Sequence, residues 1–223
     1  MIIIIPDLLD PNQLAAIQSV LGKGQFIDGK LSTGSQARKQ KNNEELDSNS
    51  DTFSALNDVV MTSLVQHPDY LFSAFPARIA TPLYARYRSG MSYGRHLDDP
   101  IMGPANARYR SDISITVFLN NPEDYQGGEL CIEEPGGMQT YKLAAGSALL
   151  YSSTSIHSVT PVSSGERLVA ITWLQSMIRT DDQREVLYHL HQAMRQAEAN
   201  EAELSRENID LSYQNLIRMW AHT

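Results

Sequence analysis

The chain has 223 residues, 26 acidic and 18 basic, for a formal net charge of -8. That length suits one substantial domain with a small appendage, and 42% hydrophobic with 20% charged residues is ordinary for a globular protein. Net acidity argues against general nucleic-acid binding, which rests on Lys and Arg meeting phosphates, and the single cysteine, Cys131, excludes an intramolecular disulfide.

In chain order, Ile2 to Ile5 read as a short buried strand, too short for a signal segment or a membrane span and stopped by Pro6-Asp7. No later run approaches ~18 apolar residues, so a soluble, cytoplasmic protein with no nucleic-acid or membrane partner is expected. Asp10-Pro11 starts a helix with Leu14, Ile17 and Leu21 on its apolar face, and Gly22 and Gly24 end it. Residues 28–45 are polar and read mostly as a loop, with Arg38, Lys39 and Lys41 as a solvated basic cluster. Such a loop near a barrel mouth also has the functional alternative of closing over a substrate. Asp51 caps a second helix through about Gln66, with Leu56, Val59, Val60 and Leu64 as its stripe, and His67-Pro68 breaks it.

From Arg78 the texture changes to strands. Ile79 to Arg88 reads as one, with Leu83, Ala85 and Tyr87 alternating against Tyr84 and Arg86. Gly90 and Gly94 flank a turn into the strand carrying His96, and residues 99–110 read as a loop. Ser111 to Leu119 puts Ile113, Ile115, Val117 and Leu119 on one face and Asp112, Ser114, Thr116 and Phe118 on the other. Further strands are expected at Glu129–Glu133, Met138–Leu143, Ser147–Tyr151 and Arg167–Leu174. Short strands at this spacing without intervening helices predict a mainly β fold, an antiparallel sandwich or jelly roll. After Arg179 the period becomes helical. Val186, Leu190, Met194 and Ala197 mark one helix, and Ile209, Tyr213, Leu216, Ile217 and Trp220 a second. Their apolar faces must pack on the barrel, on each other or on a second subunit, which makes this helical hairpin a candidate homodimer surface.

Within this frame His96 and Asp98 stand two apart, so both side chains are expected to leave one face of a strand. With His157 downstream they supply the residue types, in the order, of a 2-His-1-carboxylate facial triad, which holds Fe(II) and leaves three positions open. A His-x-Asp pair alone arises readily by chance, and Asp99 competes as a carboxylate from the opposite face. Arg167 adds weight. It opens a strand whose other positions read as buried, and burying its charge costs several kcal/mol unless an anion meets it. Either a protein carboxylate or a ligand carboxylate must do so. His189 and His191 read as helix-surface or helix-packing residues, His67 as a helix-end residue, His222 as terminal and Cys131 as a small packing residue.

Tyr87-Arg88-Ser89-Gly90-Met91-Ser92-Tyr93-Gly94-Arg95-His96-Leu97-Asp98 resembles the metal-binding strand of the prolyl 4-hydroxylase-type Fe(II)/2-oxoglutarate dioxygenases. Ser114 to Asn120 resembles their next core strand, and Gly127-Gly128-Glu129-Leu130 the hairpin after it. His157 to Val162 with Arg167 resembles their distal histidine and cosubstrate anchor. With Lys41-Asn42-Asn43 and the C-terminal helices, the whole chain resembles the bacterial PKHD-type hydroxylases, the PiuC-like group associated with iron uptake. The resemblance implies a double-stranded β-helix (jelly roll, cupin-like) over residues 1–178 with N-terminal helices, and a C-terminal helical extension over 179–223. It implies Fe(II) ligands at His96, Asp98 and His157, with Arg167 binding the C5 carboxylate of 2-oxoglutarate. Tyr87 corresponds roughly to a cosubstrate contact, with the loop before His96 open to more than one alignment, and Trp173 to an aromatic lining the pocket near the metal. Phe118 stands where animal relatives carry a tyrosine, which makes Thr116 on the same face a substitute contact. The activity implied is hydroxylation of an unactivated C–H bond in a small-molecule or peptide substrate, free or peptidyl proline or lysine among them. O2 is consumed, succinate and CO2 are released, and ascorbate is a further candidate cofactor. Three other readings stay open: a non-catalytic iron/2-oxoglutarate sensor on the same scaffold, an interaction protein acting through its helical hairpin, and a different metal enzyme on a cupin-like barrel, which would not need Arg167.

Overall fold

The computed structural model describes residues 1–32, 37–49 and 51–222, without the side chains of Ala37, Asp51 and Thr52. The expected cap at Asp51 and part of the 28–45 loop therefore lie outside the described residues. The strands are β1 (Ile2–Ile5), β2 (Phe26–Asp28), β3 (Lys41–Asn42), β4 (Glu44–Leu46), β5 (Pro76–Ile79), β6 (Leu83–Arg88), β7 (Ser92–His96), β8 (Ile101–Met102), β9 (Tyr109–Arg110), β10 (Ile113–Phe118), β11 (Tyr125–Gly127), β12 (Leu130–Glu134), β13 (Gly137–Tyr141), β14 (Ala148–Ser152), β15 (His157–Val159) and β16 (Val162–Ser176). The helices are α1 (Pro11–Leu21), α2 (Asp51–Gln66), α3 (Pro68–Ala74), α4 (Asp181–Ala199) and α5 (Glu203–Trp220).

One antiparallel sheet follows the path β1-β14-β10-β16-β6-β4-β2, with β5 and β11 also pairing β16, and a second follows β13-β12-β15-β7-β3. The alternation in β10 sorts its residues between two cores. Ile113, Ile115, Val117 and Leu119 enter the core formed with α1, α2 and α3, where Ile17, Leu64 and Tyr70 meet them. Phe118 points the other way and joins Ala85, Tyr87, Val169 and Leu149 of the large sheet with Leu130, Ile132 and Val159 of the small one. The two sheets are thus closed on each other as a jelly roll. Full burial of a side chain such as Ile115 contributes about 1.5–3 kcal/mol. α1 is fixed at its start by a capping box: Asp10 accepts from the Asn12 and Gln13 amides at 2.8 and 2.9 Å, and Gln13 returns a bond to the Asp10 amide.

Several boundaries differ from the sequence reading. The expected strand Ile79–Arg88 is two strands, because Pro82 lacks the N–H needed to continue the ladder. His67-Pro68 ends α2 but also starts α3: His67 Nδ1 accepts from the Asp69 amide at 3.2 Å and Pro68 fills the first turn. The 99–110 segment contains the β8–β9 hairpin. The described part of the 28–45 segment is not the loop expected, since β3 joins the small sheet beside β7 and β4 joins the large sheet beside β6. Arg38 and Lys39 are exposed as expected, but Lys41 is buried because it pairs with the buried Glu45.

The tail packs on α3. Leu187 and Tyr213 bury against Phe75 and Ile178, with Leu190, Met194, Leu216, Ile217 and Trp220 around them. Val186, expected on the buried stripe, is exposed; the stripe runs one position later, through Leu187. His191 is a helix-packing residue stacked on Phe72, with ring centroids 3.7 Å apart. No helix among the described residues is long and apolar enough to cross a membrane.

Candidate metal and cosubstrate site

β7 and β15 are neighbours in the small sheet, and their register pairs His96 directly with His157. The two imidazoles lie 4.2 Å apart, centroid to centroid. Asp98 is not on the strand as expected, since β7 ends at His96 and the carboxylate sits on the segment just beyond. It nevertheless turns inward, with Oδ1 3.8 Å from His157 Nε2. One ligand atom from each of His96, Asp98 and His157 lies within 4.8 Å of the others. The outward nitrogen of each ring is committed to a carbonyl: His96 Nδ1 to Gly94 O at 2.8 Å and His157 Nδ1 to Ser155 O at 3.1 Å. A carbonyl only accepts, so both Nδ1 atoms carry a proton, which leaves Nε2 as the nitrogen of each ring that can offer a lone pair to the cavity. Burial, and then the neighbouring His157, push the His96 imidazole down to about 4, against the Gly94 carbonyl and Asp98. A neutral ring at pH 7 is the metal-binding form. Tyr93 stacks on His96 at 3.6 Å and Tyr151 meets His157 edge-on, so both rings are held from the side.

These residues open into a cavity of about 390 Å³, which also takes in Tyr87, Thr116, Arg167, Ile171 and Trp173. Every residue nominated from the sequence therefore lines one space. Arg167 on β16 is 1% exposed, and its Nε and Nη1 have no hydrogen-bond partner among the described residues. Its cross-strand partner is Tyr87, and its guanidinium lies 5.1 Å from the Tyr87 ring and 5.8 Å from that of Phe118. Burial pushes the Tyr87 phenol up to about 12, against the pull of Arg167, so it stays a neutral donor. Trp173 Nε1 is likewise buried without a partner. Two nitrogen donors and one hard oxygen donor suit Fe(II), and an unmet buried guanidinium suits a dicarboxylate beside it. The residues present fit both groups.

Sequence reasoning missed the far wall. Ser32, Lys41, Asn43 and Glu45 line the same cavity. Lys41 Nζ pairs with Glu45 and donates to Ser32 Oγ at 2.9 Å. The pair bridges the sheets, because Lys41 is registered with Tyr93 on β7 and Glu45 with Ala85 on β6. A lysine beside Arg38 and Lys39 carries no local sign of burial; the nearest signal was Glu45, at i+4 from it. Ser114, which donates to Asp98 Oδ2 at 2.5 Å, was also missed. Its place on the Thr116 face of the β10 alternation was the available clue.

The sequence profile of the 2OG-Fe(II) oxygenase superfamily matches residues 82–175, the span carrying His96, Asp98, His157 and Arg167. A PKHD-type hydroxylase of Acaryochloris marina is 44% identical over 222 residues, covering 99% of this chain and 100% of that protein. The chain belongs to the PKHD-type hydroxylase family. Another member, from Thioalkalivibrio sulfidiphilus, is 45% identical over 224 residues and 99% of both chains. The crystal structure of a Pseudomonas putida prolyl-4-hydroxylase shares the fold, with a TM-score of 0.54 and 18% identity over 78% of this chain and 92% of that one. Membership makes the protein an Fe(II)- and 2-oxoglutarate-dependent dioxygenase of the hydroxylase type, with O2 as its other cosubstrate.

Proposed function

We propose that His96, Asp98 and His157 hold Fe(II), that Arg167 holds the distal carboxylate of 2-oxoglutarate, and that the enzyme hydroxylates an unactivated C–H bond of a small-molecule or peptide substrate. The observation that carries this reading is the convergence on one cavity of a His-Asp-His donor set and a buried arginine with two unpartnered nitrogens. When bound there, Fe(II) with 2-oxoglutarate and O2 supplies the oxidising power, and succinate and CO2 are the co-products.

The chain's own residues then have separable tasks. Arg167 fixes the length and direction of the keto acid, since a guanidinium fork matches a carboxylate. Tyr87 and Thr116 lie along that path as neutral hydrogen-bonding groups, and Thr116 is the hydroxyl on the face where Phe118 has none. Leu83, Ile171 and Trp173 keep the reacting end apolar and limit water. The Lys41–Glu45 pair with Ser32 forms a polar wall, and the exposed Leu97 and Ile101 with Met102 form an apolar rim. Together they suit a substrate with a polar group and a hydrocarbon stretch.

The finer setting belongs to the same proposal. A buried free thiol at Cys131 suits the reducing cytoplasm, with no nucleic-acid or membrane partner. Leu204, Leu211 and Met219 lie exposed along α5 at near-heptad spacing, which supports a homodimer through the C-terminal helices. The PiuC-like resemblance supports a role in iron uptake, and ascorbate fits as the reductant that keeps the iron ferrous.

Succinate release is the direct test. With purified protein, labelled 2-oxoglutarate and a panel of amino acids and peptides, succinate is expected only when Fe(II), 2-oxoglutarate and O2 are all present, with at least one substrate accelerating it. A protein that binds both ligands yet releases no succinate with any substrate would be a sensor instead.

A further inference from the structure

Resting on the ligand reading above, we propose that Ser114 and Ser153 are positioning residues that restrict Asp98 to one metal-binding oxygen and so keep a coordination position free for 2-oxoglutarate. A carboxylate has two oxygens, and either or both can bind an ion. Here they are in different hands. Ser114 Oγ donates to Asp98 Oδ2 at 2.5 Å, while Oδ1 faces His157 Nε2. Ser114 Oγ also lies 2.7 Å from Ser153 Oγ. Ser114 has a single O–H, already given to Asp98, so Ser153 is the donor in this second bond. Ser153 is fixed in turn, because its amide donates to the Asp112 carbonyl at 3.0 Å.

The burial argues that the pair is there for Asp98. Ser114 is 0% exposed and Ser153 5%. Ser114 sits on β10 opposite Trp173 of β16 and Tyr151 of β14, in the middle of the large sheet, where the interior face otherwise carries Phe118 and Val169. Two hydroxyls in such a place cost free energy unless they are bonded, and their chain of bonds ends on the carboxylate.

The consequence follows from counting positions. Three single-atom ligands leave three places on a six-coordinate ion. A keto acid that chelates through two oxygens and O2 need all three. If Oδ2 were released to the ion, Asp98 would occupy one of them and compete with the keto acid. The hydroxyl relay therefore acts on cosubstrate binding more than on metal binding.

Co(II) stands in for Fe(II) in the test, with 2-oxoglutarate as the second probe. Co(II) affinity is measured first, then 2-oxoglutarate affinity on the Co(II)-loaded protein, following the visible absorption of the metal. In Ser114→Ala, Co(II) affinity is expected to stay within about threefold, and 2-oxoglutarate affinity to fall about tenfold or more. Ser114→Thr, which keeps the hydroxyl, is expected to restore 2-oxoglutarate affinity. Ser153→Ala shifts 2-oxoglutarate affinity the same way by less, and it carries the test if Ser114→Ala does not fold. Unchanged 2-oxoglutarate affinity in the folded variant overturns the proposal, as does an equal loss of both affinities, which marks a merely structural role. Asp98→Ala separates the two layers: Co(II) bound as tightly as by the wild type would refute the ligand reading itself.

Discussion

Arg167→Met is expected to weaken 2-oxoglutarate binding by roughly a hundredfold or more, and to raise the melting temperature of the ligand-free protein. The two effects have one cause. In the free protein the guanidinium is 1% exposed, two of its nitrogens have no hydrogen-bond partner among the described residues, and the Tyr87 and Phe118 rings with the neighbouring Tyr125 offset its desolvation in part. Replacing a buried charge that is compensated only in part with an apolar side chain of similar volume removes that cost, an effect of about 1–4 kcal/mol. For a protein of this size that is several degrees of melting temperature. Losing one partner of a buried charge-assisted contact costs the complex about 3 kcal/mol, which is roughly a hundredfold in affinity. Binding of 2-oxoglutarate should therefore stabilise the wild type strongly and the variant hardly at all. Calorimetry with the metal-loaded protein reads the affinity, and a thermal scan without ligands reads the stability. An affinity left unchanged would remove Arg167 from the site.

His96→Ala and Asp98→Ala are expected to abolish iron-dependent 2-oxoglutarate turnover, and Asp98→Asn should do so nearly as completely. The asparagine variant is the more informative one. Ser114 donates to Oδ2 in the wild type, so in the variant its hydroxyl still selects the amide oxygen. The NH2 group then faces the histidines, and it offers donors but no lone pair for an ion. Size and shape are kept while the ligand is lost. Removing His96 leaves Tyr93 without the ring it stacks on at 3.6 Å, so circular dichroism and a melting curve should accompany the assay. Turnover retained in a folded variant of either residue would refute its assignment as a ligand.

The legible parts of this protein share a property: each depends on a short pattern whose meaning is local. The β10 alternation divides two cores as expected because side-chain direction in a strand has a fixed period. His96, Asp98, His157 and Arg167 were readable because a histidine, a carboxylate and an arginine in strand-like surroundings need partners. What escaped notice depends on pairing across the fold. Lys41 reads as solvated until β3 is seen beside β7, where Glu45 meets it from the other sheet. Pro82 divides a strand that looks continuous in composition. His157 belongs to a strand of three residues, shorter than any periodic signal can mark, yet its register with His96 builds the site. The helical tail was recognised as amphipathic, but its partner, α3, could not be read from a segment of seven residues behind a helix-breaking proline.

The account turns on one ferrous ion being chelated together with 2-oxoglutarate in this cavity. Anaerobic titration of the purified protein with Fe(II) and then 2-oxoglutarate measures that directly, through the weak visible charge-transfer band of a keto acid bound to ferrous iron. The band is expected to appear with the wild type, to saturate near one equivalent of each ligand, and to be absent in Asp98→Ala. A wild-type protein that takes up neither ligand, or an Asp98→Ala variant that develops the same band, would contradict it.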